Sequence, residues 1–308
     1  MKSDSRIYVA GHRGLVGSNL VRLLRDRGFS RVIYRSHDEL DLRSQAAVEE
    51  FFRDEKPEFV FLSAGRVGGI RANMTYPAEF IYDNIQIQTN VIHNAYKSGV
   101  QKLCFLASSC IYPNLAEQPM KENYLLSGEL EPTNEPFAVA KIAGIKMCQA
   151  YDRQYGTNFI SLVASNLYGP NDDFNLDSSH VLSALVHRIV DAKRNGAESI
   201  TLWGTGKPRR EFLHVQDMAD ACLFLMEEYD ESEIINVGSG EDISIFDLAK
   251  TISRHAGFSG SIGFDISKPD GMARKLLDVG KISKLGWSPR ISLEDGIKDT
   301  IAWYEGTI

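Results

Sequence analysis

RIYVAGHRGLVGSNLVRLLRDRG, residues 6–28, decides the fold. An apolar run of strand length leads into Gly11, Gly14 and Gly17, and an amphipathic helical pattern begins inside that spacing. Glycines stand where the backbone must turn tightly and let a pyrophosphate approach main-chain N–H groups at a helix N-terminus. A glycine triplet alone says little. One that follows a strand and opens a helix predicts a dinucleotide site, with Gly11, Arg13, Gly14 and Gly17 at its centre.

The same alternation continues outward. VIY (32–34), PEFVFLSA (57–64), KLCFLASS (102–109) and NFISLVASNLYGP (158–170) read as further strands. Helices are predicted over 46–56, about 78–98 and 137–156. Short apolar runs separated by helices give an α/β fold, a Rossmann-like doubly wound parallel sheet. After Gly169 the polar stretch NDDFNLDSS breaks the rhythm. The expected division is a cofactor-binding domain over 1–170 and a smaller α/β substrate-binding domain over 171–308. A helix at 215–228 and the strand IINVG (234–238) should rejoin the first.

Composition narrows the function classes. The chain has 308 residues, 43% hydrophobic and 24% charged, with a formal net charge of −7, which argues against nonspecific nucleic-acid binding. No apolar run reaches membrane-spanning length and the first residues carry no signal-peptide pattern, so a cytoplasmic protein is expected. Cys104, Cys110, Cys148 and Cys222 lack CxxC spacing and form no disulfide framework. No metal site is expected.

The end of the second strand chooses the cofactor. A carboxylate there would bind a ribose 2′-hydroxyl. This chain instead has Arg35, Ser36 and His37, while Arg13 sits in the glycine turn. Two arginines near the 2′ position favour the phosphate of NADP(H), unless Arg35 is only a solvated strand-end charge. Asp41 and Leu42 are candidates for the adenine pocket.

Taken together, GHRGLVGS, FLASSCIYP, EPTNEPFAVAKIAGIK, NLYGPNDDF, SSHV, WGTGKPRREFLHVQDMAD and INVGSG resemble the GDP-L-fucose synthase family. Its members, GDP-4-keto-6-deoxy-D-mannose 3,5-epimerase-4-reductases, belong to the extended short-chain dehydrogenase/reductases. The resemblance spans almost the whole chain. It implies an NADPH-dependent, cytoplasmic homodimer that epimerises C3 and C5 of a GDP-4-keto-6-deoxy sugar and then reduces C4. It also implies cofactor contacts from Leu15, Val16, His37, Ala64, Leu106, Asn166, Leu167 and His180.

For reduction, the resemblance places the family's serine at Ser108 and its lysine at Lys141, and its catalytic tyrosine falls on Phe137. Positions 137 and 141 share a helical face. A phenyl ring fills the volume of a phenol but neither donates a proton nor bonds an oxyanion, so reduction is expected to be severely impaired. For epimerisation, Cys110 and His180 match the family's base and acid; a thiolate suits the task if a nearby cation lowers its pKa, and histidine titrates in the working range. Arg188, Arg210 and Lys275 match diphosphate contacts, or form a surface basic patch. Trp203 would pack on the nucleotide sugar and Asp270 would shape its pocket.

Three readings of Phe137 stay open. The chain is a synthase whose tyrosine has been replaced, an epimerase-only relative acting on a GDP-4-keto sugar, or a noncatalytic NADP-binding protein. Retention of Ser108, Cys110, Lys141 and His180 weighs against the third. The sugar, 6-deoxyhexose or heptose, is not fixed by these residues.

Overall fold

The computed structural model describes residues 1–268 and 270–308. β1 (Ile7–Ala10) is followed by α1 (Leu15–Asp26), β2 (Val32–Ile33), α2 (Gln45–Glu55) and β3 (Phe59–Leu62). α3 (Ile70–Thr75) and the long α4 (Pro77–Lys97) lead to β4 (Lys102–Ser108), and α5 (Glu135–Tyr155) leads to β5 (Phe159–Ala164). Next come β6 (Asn166–Tyr168), α6 (Val181–Arg194), β7 (Ser199–Trp203), β8 (Arg209–His214), α7 (Val215–Glu228) and β9 (Ile235–Val237). The last elements are β10 (Asp242–Ser244), α8 (Ile245–Ala256), β11 (Ser261–Asp265), β12 (Arg274–Lys275), α9 (Gly280–Lys284) and α10 (Leu293–Glu305).

The main sheet has six strands in the order β2-β1-β3-β4-β5-β9, paired in parallel throughout. Its central strands β4 and β5 are covered on both faces, which is why they read as unbroken apolar runs. One face packs on α2, α4 and α5 through residues such as Phe52, Val91 and Ile145. The other packs on α1 and α7 through Leu24, Met218 and Leu225. On α5, a Cβ at Gly144 would stand 2.5 Å from Phe105 Cζ. The glycine therefore lets α5 lie close against β4, which brings Phe137 and Lys141 to the end of that strand.

The stretch 158–170, expected as one strand, is two. The backbone N–H of Ser165 donates to Val237 O at 3.0 Å, the last ladder contact with the main sheet. β6 then leaves to pair with β8, from Asn166↔Phe212 to Tyr168↔His214. β8 also pairs with β10 and β12, while β7 pairs with β11 in a sheet of its own. α6, α8 and α10 enclose a third core with Leu185, Ile252 and Ile301. These elements lie where the sequence suggested only irregular alternation.

One carboxylate fastens the later strands. Glu211 on β8 is 1% exposed and accepts hydrogen bonds from Gly240 N (2.7 Å) and Leu277 N (2.9 Å). Burial outweighs those bonds and pushes its carboxyl up to about 7. A carboxyl with a raised folded-state pKa contributes stability that is complete below its unfolded value and is lost as pH rises through the folded value. Relative to Glu211→Gln, the unfolding free energy in urea should therefore fall by about 2–3 kcal/mol between about pH 5 and pH 8. Parallel pH profiles for the two proteins would overturn this account.

Candidate active site

The strand ends, the glycine turn and the start of β6 enclose a cleft of about 510 Å³. Gly11, at φ +88°, has no space for a side chain, because a Cβ would sit 2.7 Å from Ala64 N. At Gly17 a Cβ would fall 2.1 Å from Gly11 O. β1, α1 and the chain after β3 thus meet backbone to backbone at the point where the strand order reverses, where open α/β sheets bind their ligands. Leu15, Val16, Ala64, Leu106, Asn166 and Leu167 all line this cleft.

At its adenine-side end lie Arg35, His37, Asp41 and Leu42. Arg35 does not extend freely. It forms an ion pair with Glu55 and donates to Tyr34 O at 2.8 Å. Arg13 is exposed and is not part of the cleft wall. Both arginines nevertheless lie near Glu39, whose carboxyl is held below its ordinary value first by bonds from Ser36 and then by these two charges. Sequence reasoning missed a third arginine here. Arg43 lines the cleft, bonded to Asp41 at 2.9 Å and to Asp83 at 3.3 Å. Asp83 also holds Arg66 at 3.1 Å, in the loop after β3. The signal available was Asp83 on α4, a helix whose sequence is already rich in polar residues, so it did not stand out.

At the opposite end stand Ser108, Phe137, Lys141 and His180. Lys141 is 5% exposed, and its Nζ donates to Leu106 O at 2.9 Å. The ammonium lies 4.9 Å from the Phe105 ring centroid and 5.7 Å from that of Phe137. Burial lowers its pKa to about 8. Phe137 meets Phe80 edge-on at 6.3 Å. Tyr112 cannot stand in for a missing phenol, since it is buried with its hydroxyl bonded to Asn236 at 2.6 Å.

Cys110 lies in the 3₁₀ turn Ser109–Ile111 directly after β4. The expectation that cations pull its thiol down is corrected here. Burial pushes the thiol up, and Lys275, Ser108 and Lys141 oppose that shift without reversing it. His180 caps α6 with its outer edge open to solvent. Desolvation on the cleft wall holds its imidazole below the ordinary value and Lys275 adds to this, while Asp172 pulls the other way. Asp172 was not anticipated, because the NDDF stretch reads as a plain polar loop. Ser165 was also missed; it lines the cleft at 7% exposure and its Oγ has no hydrogen-bond partner among the described residues.

The second group of predicted residues lies around β8 and β12. Arg210 and Lys275 are register partners, and burial lowers the pKa of both. Arg188 stands on α6. Asp270 accepts from Thr205 N at 2.6 Å and Thr205 Oγ1 at 2.7 Å, so it fastens the WGTG turn. Trp203 is 56% exposed at the end of β7, with Lys268 over its ring at 5.7 Å.

Comparison with known proteins gives a consistent set of relatives. The profile of the NAD dependent epimerase/dehydratase family matches residues 7–238. The chain is 56% identical over 301 residues to "GDP-L-fucose synthase 1" of Arabidopsis thaliana, covering 98% of this chain and 93% of that one. It superposes on a GDP-6-OMe-4-keto-L-xylo-heptose reductase from C. jejuni with a TM-score of 0.95 at 39% identity, covering 100% and 99% of the two chains. A GDP-L-fucose synthetase from Naegleria fowleri bound to NADP superposes with a TM-score of 0.92 at 28% identity, covering 100% and 96%.

A buried lysine whose pKa is lowered binds fewer protons folded than unfolded, so it costs stability below the folded value, and the cost fades as pH rises from about 8 towards 10.5. Lys141→Met should therefore stabilise the protein at neutral pH, by at most on the order of 3 kcal/mol less the lost bond to Leu106. That gain should shrink above about pH 8. Denaturant melts across pH check it; a destabilised variant at pH 7 would sink the idea.

Proposed function

Because this chain belongs to the NAD dependent epimerase/dehydratase family, in its GDP-L-fucose synthase branch, we propose that it binds NADP(H) and a GDP-4-keto-6-deoxy sugar. On that sugar it epimerises C3 and C5 and, slowly, reduces C4. The observation that carries the reading is that Ser108, Lys141 and His180 line one cleft, with Cys110 on the turn directly after Ser108. Residues 1–170 together with β9 hold the cofactor, and the remaining elements hold the nucleotide sugar.

The cradle fits NADP(H). Gly11, Gly14 and Gly17 leave room for a pyrophosphate at the N-terminus of α1, where unpaired N–H groups and the helix dipole favour an anion. Arg13 and Arg35 supply charge for a 2′-phosphate, which would compete with Glu55 for Arg35. Bound there, NADPH supplies the hydride for C4. Lys141 holds the ribose, and Ser108 donates a hydrogen bond to the C4 oxygen.

In epimerisation, Cys110 and His180 act as base and acid on carbons next to the ketone. Each deprotonation moves charge to the C4 oxygen, so donors to that oxygen serve both reactions. Arg188, Arg210 and Lys275 bind the diphosphate. For Cys110 and Lys275 the pairing is reciprocal, since each favours the charged form of the other. Trp203 and Asp270 border the sugar-nucleotide end.

Phe137 removes the phenol from the C4 oxygen. Loss of a positioned general acid or oxyanion donor costs roughly 10²–10⁴ in rate. NADPH oxidation with GDP-4-keto-6-deoxy-mannose should therefore rise about 10²–10⁴-fold in Phe137→Tyr. No gain sinks this reading. The epimerase-only alternative predicts solvent deuterium entering C3 and C5 without NADPH consumption in either protein.

The protein acts as a cytoplasmic homodimer joined through α4 and α5, on whose outer surfaces Tyr82, Val139 and Tyr155 are 61%, 38% and 47% exposed. No helix among the described residues is long and apolar enough to cross a membrane. Sedimentation at micromolar concentration should give a mass of twice 34.4 kDa. A monomer would overturn the assembly.

A further inference from the structure

We propose that Lys141 itself gives the proton to the C4 oxygen in this chain, in the role that Phe137 leaves empty; the proposal rests on the reaction assigned above. Three features of the lysine's surroundings support it. First, its ammonium uses one N–H on Leu106 O at 2.9 Å, and no second hydrogen-bond partner is found among the described residues. Lys141 lines the cleft that Ser108 and Phe137 also line. Second, no carboxylate forms an ion pair with it among the described residues; the Phe105 and Phe137 rings lie at 4.9 and 5.7 Å, and Cys110 is the titratable group that acts on it, favouring the ammonium without offsetting burial. Third, Gly65 brings no side chain to the ammonium: a Cβ there would stand 3.5 Å from Nζ, in ordinary contact, and would collide with Asn84 Oδ1 at 2.7 Å.

Aromatic faces attract a cation but accept no proton from it. A buried ammonium held by one carbonyl and two rings is therefore poised to lose its proton to a stronger base. Burial brings its pKa to about 8, below the value near 10 of an unperturbed phenol, so the amine is the stronger acid of the two. With a tyrosine at 137, the phenol would stand between lysine and ketone and deliver its own proton. Here nothing on the 137 side chain competes.

The step balances. Hydride adds to C4, and the carbonyl π pair moves onto oxygen. That oxygen takes a proton from the Lys141 ammonium through one bridging water, which receives the lysine proton as it gives up its own. The N–H electron pair stays on Nζ, and the neutral amine regains a proton from solvent after product leaves. The ammonium form is the active one, so the residual reductase rate must fall as pH rises through about 8.

Two measurements test this. In the free protein labelled with ¹⁵N-lysine, one Nζ resonance should titrate near pH 8 and be missing from Lys141→Arg. In single-turnover NADPH oxidation, the unsubstituted chain should lose about tenfold per pH unit above that midpoint. Lys141→Arg keeps a cation and donors but does not ionise in this range. It should lose at least about tenfold of the residual rate while NADPH affinity changes only a few-fold. A titration at the ordinary lysine value, a residual rate flat to high pH, or full residual activity in Lys141→Arg would each overturn the proposal. So would an active Phe137→Tyr beside an unsubstituted chain with no rate above background. If Phe137→Tyr is also inactive, the reaction assignment is what fails. The titration and the pH profile use the unsubstituted protein, so neither depends on a variant folding.

Discussion

The carbonyl of Gly11 and the α-carbon of Gly17 approach each other closely enough that a single methyl group between them would collide with backbone. Side chains can rotate away from a clash, but main chain cannot. This contact fixes how α1 leaves β1, and the second contact of Gly11, with Ala64, fixes how the chain leaves β3. On the far side Gly144 plays the matching part by lowering α5 onto Phe105. The glycine-turn wall of the cleft and the wall carrying Phe137 and Lys141 are thus each set by backbone packing.

Within that frame the dominant electrostatic influence is desolvation. Lys141 and Lys275 are driven towards neutral amines, Glu211 towards a neutral acid and Cys110 towards a neutral thiol. The same burial that strengthens each charge–dipole interaction makes each charge costly to keep. A phosphate-bearing ligand would add to the opposing influence of Asp270 and Glu131 on Arg210 and of Cys110 and Glu131 on Lys275, which burial outweighs.

Much of this was legible in the sequence, and the limits have physical causes. The glycine turn, the main strands and the one-turn spacing of Phe137 and Lys141 were readable because they depend on local periodicity and residue type. The break at Ser165 was not, because it is made by competition between Val237 and β8 for the same chain segment. The small strands after residue 170 escaped notice for a similar reason. Strands of two or three residues carry no period and exist only through partners distant in sequence. The cofactor-side charges were half visible: Arg35 was found by position, but its pairing with Glu55 and the neighbouring Arg43–Asp83–Arg66 group required the fold. The thiol of Cys110 was misjudged because sequence shows which cations exist but not how deeply the sulfur is buried.

The return of β9 to the edge of the main sheet has a consequence of another kind. The chain leaves that sheet at Ala164 and rejoins it at Ile235, with α7 packed back across α1 in between. The elements β6 to β8 are therefore threaded between two strands of one sheet instead of following it. A ribosome that has released only the first 170 residues has made a sheet with a raw edge at β5 and an uncovered face over Leu20, Leu24 and Ile160. Residues 1–170 alone would leave that edge and face without their later partners, the features that make a partly made sheet prone to aggregation.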